Sequence, residues 1–240
     1  MSKIMGIIGP EESVEERIQQ RAPNRFSTDA CLMKGLTALA RKGVDGVGIG
    51  VGGKDGIATL HSMGNVDMLK RRTKMHGMPM GCVRFGHVFQ RAEGSLADGA
   101  RPRSVDLPVQ GEHTRRALFV SSTTQEDVLH ACERMIGMCF ENQSFHSLAH
   151  LLFKALTSGE SRARWLSQSD ATILLFLSDA PDRLYAIRCS SQPLWAAHDH
   201  ERGYVASDPI AFPSGLLEQA PLPMRSVMCM FAGGSSVLVT

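Results

Sequence analysis

Between residues 44 and 51 the chain alternates branched aliphatic residues with glycine, in the order Val44-Asp45-Gly46-Val47-Gly48-Ile49-Gly50-Val51. A period of two predicts a strand, and glycine at every second position leaves one side of that strand almost bare. Glycine weakens a strand, so a run of it implies that another backbone or a packed layer comes very close to the bare side. Gly52-Gly53-Lys54-Asp55-Gly56 reads as the turn of a hairpin whose second strand is Ile57-Ala58-Thr59-Leu60-His61. Just upstream, Leu32, Leu36, Leu39 and Ala40 fall at helical spacing. Ser27-Thr28-Asp29 caps that helix, and Lys42-Gly43 stops it.

The rest of the chain repeats this style of element. Short apolar runs at 3–9, 80–88, 117–120, 171–177, 183–188, 227–231 and 236–239 read as strands, most of them closed by glycine, proline or aspartate turns. Two amphipathic helices are predicted at 124–138 and 144–156, from Val128, Leu129, Cys132, Met135 and Ile136 in the first and Leu148, Leu151, Leu152 and Ala155 in the second. Residues 11–25 are charged and interrupted by proline, with no sustained period, and read as a mobile loop or a frayed helix. Nine or ten short strands with three helices grouped in two places argue for a layered α+β domain rather than a doubly wound parallel sheet. No repeat or linker divides the 240 residues, so one domain, 1–240, is expected.

Composition narrows the function. A formal charge of +2 offers no nucleic-acid footprint, and the basic run Lys70-Arg71-Arg72-Lys74 reads as a solvated face. No apolar run reaches the ~18 residues of a membrane span, and the first residues lack a signal-peptide core; a cytoplasmic location is the expectation. Six scattered cysteines form no Cys-x-x-Cys pair and read as reduced, buried thiols. Thirteen methionines read chiefly as core fillers. His146 and His150 stand one helical turn apart, but no third ligand accompanies them, so no metal site is assigned.

Lys42-Gly43-Val44-Asp45-Gly46-Val47-Gly48-Ile49-Gly50-Val51 resembles the Arg-Gly-Tyr-Asp-Ser-Ala-Gly-Ile-Ala-Val segment of class II glutamine amidotransferase domains, such as those of glucosamine-phosphate synthase, phosphoribosyl amidotransferase and glutamate synthase. Met63-Gly64-Asn65-Val66 is similar to the Leu-Gly-Lys-Val that follows that family's hairpin. Further matches are Met5-Gly6-Ile7-Ile8-Gly9 to Cys-Gly-Ile-Val-Gly, Gly86-His87-Val88 to the Gly-His-Val-Arg-Tyr strand, and Ala206-Ser207-Asp208 to Ala-Ser-Asp. The resemblance covers residues 4–239 and implies a four-layer αββα sandwich of the N-terminal-nucleophile hydrolase type.

Positions to which the resemblance assigns chemistry depart from the pattern. Met5 stands for the nucleophilic cysteine, and a thioether has no ionisable proton and forms no thioester. Phe89 stands for the arginine that clamps the glutamine carboxylate, and Arg91 lies two residues on. Ser122 and Thr123 replace the Asn-Gly of the oxyanion hole, where one donor is worth about 3 kcal/mol. Ser144 replaces the aspartate that binds the substrate amino group.

The resemblance therefore implies a retained fold without intact catalytic or substrate-binding positions and without a cofactor. The function expected is that of a scaffold or regulatory subunit beside a larger synthase or aminotransferase-like partner, with no nucleic acid or membrane involved and homo-oligomerisation open. One alternative is an active amidotransferase supplying ammonia to a glutamate-synthase-like partner, with Ser2 exposed by removal of Met1 as replacement nucleophile. Another is a small-ligand sensor whose pocket Phe89 has made apolar.

Overall fold

A computed structural model of the chain describes residues 2–11, 27–41, 43–76, 81–89, 103–107, 115–121 and 172–239. In chain order the described elements are β1 (Ser2–Ile8), α1 (Thr28–Leu39), β2 (Gly46–Gly53), β3 (Gly56–Met63), α2 (Val66–His76), β4 (Val83–Phe89), β5 (Arg103–Leu107) and β6 (Arg115–Ser121). They continue with β7 (Thr172–Leu177), β8 (Arg183–Arg188), β9 (Trp195–His198), β10 (Gly203–Ala206), a 3-10 turn (Pro209–Ala211), β11 (Leu217–Pro221), β12 (Ser226–Phe231) and β13 (Ser236–Val239). Two antiparallel sheets result, ordered β11-β9-β10-β1-β4-β2-β3 and β13-β12-β8-β7-β6-β5.

Alternation along each strand divides the side chains between two cores. Ile4 and Ile8 of β1 and Val83 and Phe85 of β4 meet Leu118, Val120, Leu174, Phe176, Leu184 and Met230 of the other sheet, all of them buried. That is the face-to-face core of the sandwich. On the opposite side of the first sheet, Met5, Ile7, Val47, Ile49 and Val88 pack against Leu32, Leu36 and Leu39 of α1 and Val66 and Leu69 of α2. On the second sheet, Ile173, Leu175 and Ile187 alternate with inward-facing neighbours and are buried too, each at most 1% exposed.

The termini of α1 follow local chemistry. The Ser27 hydroxyl accepts from the Ala30 amide at 3.1 Å, satisfying one of the first-turn donors. Gly43, at φ +82°, takes the left-handed conformation that lets the chain leave the helix, and its amide donates to the Ala40 carbonyl at 3.0 Å.

The structure adds elements to the sequence reading and corrects parts of it. The basic run expected as a plain solvated face lies in α2, whose first turn is held by Asn65 Oδ1 accepting from the Met68 amide at 3.2 Å. Strands β5 and β11 were not expected. The β2–β3 turn is two residues, Lys54-Asp55, because Gly52 and Gly53 remain paired with Ile57 and Gly56. Trp195, expected in a loop, opens β9 opposite Ala206 and Pro221. Among the methionines, Met5 and Met230 are buried as core fillers, but Met63, Met68 and Met224 are about half exposed. Cys31, Cys82, Cys189 and Cys229 are buried thiols, as expected. The helices expected at 124–138 and 144–156 lie outside the described residues.

Candidate functional site

Met5 sits in the middle of β1, opposite Gly86 of β4 and Ala206 of β10. Its side chain has no solvent exposure and points at α1, so tightly that a Cβ on Gly35 would collide with its sulfur and with the Ala211 carbonyl. Ser2, Lys3 and Ile4 precede it within the strand. Lys3 ties this end of β1 to the Ala206-Ser207-Asp208 run: its ammonium lies 3.0 Å from Asp208, and the Ser207 hydroxyl accepts from the Ile4 amide at 3.1 Å. Asp208 also caps the following turn by accepting from the Ile210 amide. The Ala-Ser-Asp match thus corresponds to hydrogen bonds that anchor the strand.

Phe89 closes β4, opposite Ser2 and Gly46, and is 3% exposed. Its carbonyl accepts from the Asp45 amide at 2.9 Å. Its ring stacks on that of His87, with centroids 5.6 Å apart and planes within 4°, and His61 meets His87 edge-on at 6.2 Å. The glycines of β2 make room for this row. A Cβ on Gly46 would run into the Phe89 ring, one on Gly48 would stand 2.5 Å from His87 and 2.6 Å from His61, and one on Gly52 would stand 2.5 Å from Phe176. The close layer implied by the glycine alternation is therefore aromatic side chains. Beside Phe89 a cavity of about 230 Å³ is lined by Val47, His61, Ser62, Met63 and Arg72. The Arg72 guanidinium donates to the His61 carbonyl.

Ser122, Thr123 and Ser144 lie outside the described residues, as do Arg91, His146 and His150. Ser121, which precedes Ser122 in sequence, ends β6, and its buried hydroxyl donates to the Thr172 carbonyl at 3.1 Å. Sequence reading did not single out His61, and it took Arg72 only as part of a solvated basic run. The register of a two-residue hairpin turn, which sets His61 opposite Gly48, was the available signal for His61.

A second polar group lies where β4 and β10 start. Arg84 has no exposure; its Nε donates to Asp29 in the first turn of α1, and Nη1 donates to the Gly81 carbonyl. Arg202, 8% exposed, donates to the Thr28 hydroxyl at 3.1 Å. The Tyr204 hydroxyl donates to Asp199 at 2.7 Å; burial, reinforced by that carboxylate, pushes the phenol far above its ordinary range. Burial likewise raises the thiols of Cys82 and Cys229, which makes both poor nucleophiles. These contacts fix α1 on the sheet. Among the described residues no three His, Cys, Asp or Glu side chains are grouped to hold a metal ion.

No protein-family model matches the sequence, and no curated protein matches it. Solved structures do. The chain is similar to the allosteric regulatory enzyme of purine biosynthesis, with a TM-score of 0.64 and 15% identity over 99% of this chain and 48% of that one. It is similar to glutamine phosphoribosylpyrophosphate amidotransferase from B. subtilis complexed with ADP and GMP, with a TM-score of 0.62 and 16% identity over 99% and 48%. A glutamine aminotransferase class-II domain protein from Silicibacter pomeroyi matches with a TM-score of 0.50 and 10% identity, over 99% of this chain and 97% of that one. The chain spans about half the length of the first two. It has the fold of a class II glutamine amidotransferase domain, and identities this low speak for the fold alone.

Proposed function

We propose that this chain is a single amidotransferase-fold domain that has lost glutamine hydrolysis and acts by binding, as a scaffold or regulatory subunit beside a larger synthase or aminotransferase-like protein. The observation that carries the reading is Met5, the position of the nucleophile by resemblance, which is a fully buried thioether wedged against Gly35. A group in that setting neither donates a proton nor reaches a substrate. Phe89 supports the same reading: at the position of the carboxylate clamp a buried ring lies flat on His87, and a phenyl cannot replace a bidentate guanidinium. In this proposal a helical layer covers the outer side of the second sheet and completes a four-layer αββα sandwich. Burial of Ile173, Leu175 and Ile187 on that side is what such a layer would produce. Size-exclusion chromatography with light scattering on protein drawn from its native source tests the function: the expected result is a particle larger than the 26.1 kDa chain that contains a second, bigger subunit. A lone monomer contradicts it.

A second reading, a small-ligand sensor, draws on the cavity beside Phe89. Its lining joins an aromatic ring and Met63 with the Arg72 guanidinium and the Ser62 hydroxyl, a mixture suited to a small, partly apolar acid.

A further inference from the structure

The outer side of α1 carries a groove at the margin of the α1 core, against which its Met33, Ala211 and Phe212 pack. It runs beside the 3-10 turn and is closed at one side by α2, with a volume of about 650 Å³. Its length follows from the helix: the lining residues on α1 and its exit extend from Ala30 to Arg41, which at 1.5 Å per residue is about 16 Å. The apolar surface comes from Met33 and Phe212, both half-buried, and from Ile210, which is 45% exposed. The rim is cationic, with Lys34 and Arg41 from the α1 side and Lys70 from α2. Lys70 also reaches Asp67 one turn earlier, at 3.3 Å, but Asp67 is 72% exposed and does not line the groove. Among the described residues no carboxylate lines it.

Three cations around one apolar groove are a local concentration in a chain whose net charge is only +2. An apolar floor with a rim of one sign selects an occupant with apolar anchors flanked by the opposite charge. We infer that this groove is the docking surface for an acidic amphipathic segment of a partner protein, about three helical turns long, whose apolar side chains cover Met33, Ile210 and Phe212 while its carboxylates meet Lys34, Arg41 and Lys70. The inference rests on the proposal that the chain works in a complex, and it names the surface and the chemistry of the partner. Because Lys34 and Arg41 are exposed and Lys70 is partly so, the docking is salt-sensitive, and charge reversal there alters partner choice without disturbing either core.

The test places a photo-crosslinking amino acid at Thr37 or Ser214, both exposed in the groove, and at Lys54 in the β2–β3 turn as a control, in the full chain expressed in its native cell. The expected adducts come from positions 37 and 214 and not from 54. Mass spectrometry then maps the cross-linked partner segment to one rich in Asp or Glu with apolar residues at helical spacing. A Lys34→Glu, Arg41→Glu, Lys70→Glu chain with an unchanged circular dichroism spectrum loses at least tenfold in adduct yield. Adducts on a segment without carboxylates, on a second copy of this chain, or undiminished by charge reversal overturn the inference. So does a larger native particle without adducts in the groove, in which case the complex stands and the surface is wrong. A monomeric chain without adducts overturns both.

Discussion

The row of rings over the bare side of β2 gives a quantitative test of how the candidate site is built. In Gly46→Ala the added methyl would fall within 3.0 Å of two Phe89 ring atoms, inside any relaxed carbon contact. Removing a glycine from a strand by itself stabilises by about 0.5–1 kcal/mol. Overpacking a filled core costs about 1–3 kcal/mol. At mid-range the clash outweighs the backbone gain, and the single variant loses roughly 1 kcal/mol. Phe89→Ala alone loses about 3–5 kcal/mol, because a ring that is 3% exposed leaves a cavity over a glycine that cannot fill it. In the double variant the clash is gone and the new methyl occupies part of the vacated space. Its loss is expected to be about 1–2 kcal/mol smaller than the sum of the two single losses. Urea unfolding followed by circular dichroism gives all four corners of the cycle, read as midpoint shifts at constant slope. Additive losses, or a neutral Gly46→Ala, would refute the claim that Phe89 is seated on the glycine.

Met5→Cys alone is expected to yield no glutamine turnover, since the new thiol stays buried against Gly35 and no cation stands at position 89; measurable glutamate release from that variant would show that the site is misplaced. Asp29→Ala should cost about 3–5 kcal/mol in urea unfolding and more than Arg84→Met, because the first leaves a guanidinium without exposure uncompensated and the second leaves a carboxylate that still reaches water. The folded-state pKa of Tyr204 is raised, so its contribution to stability is intact below its unfolded value near 10 and is lost as pH climbs above it. Tyr204→Phe should therefore show a smaller drop in urea midpoint than the parent chain above about pH 10, and equal drops would discount this phenol.

Particular residues show what the sequence made legible. The glycine alternation at 46–52 announced a close-packed layer, and Ser27 and Gly43 marked both ends of α1, because caps and glycine spacing are local chemistry. Helix α2 escaped because, among its described side chains, only Val66 and Leu69 are in the core, so its charged residues hide the period. Strand β11 carries a register shift, a proline and Glu218 at φ +48°, none of which reads as strand. Strand β5, Arg103–Leu107, is an edge of its sheet with a charged residue at two of its five positions. At the site, Met5 and Phe89 were found by resemblance, but which way each side chain points was not legible. Every residue of β1 from Ile4 to Ile8 is buried, so hydropathy cannot separate the face toward α1 from the face toward the second sheet. Aromatic contacts such as His61 with His87 depend on the pairing register of three strands, and the exact length of one turn decides it.

Glutamate release from glutamine by the purified chain tests the central claim most directly, with an alkylating glutamine analogue as control. Under the proposed function the thiol nucleophile and the carboxylate clamp are both lost, which removes nearly all transition-state stabilisation, so the rate is expected to equal that of a buffer blank with or without the analogue. Release above the blank that the analogue abolishes would contradict the account and identify an active amidotransferase.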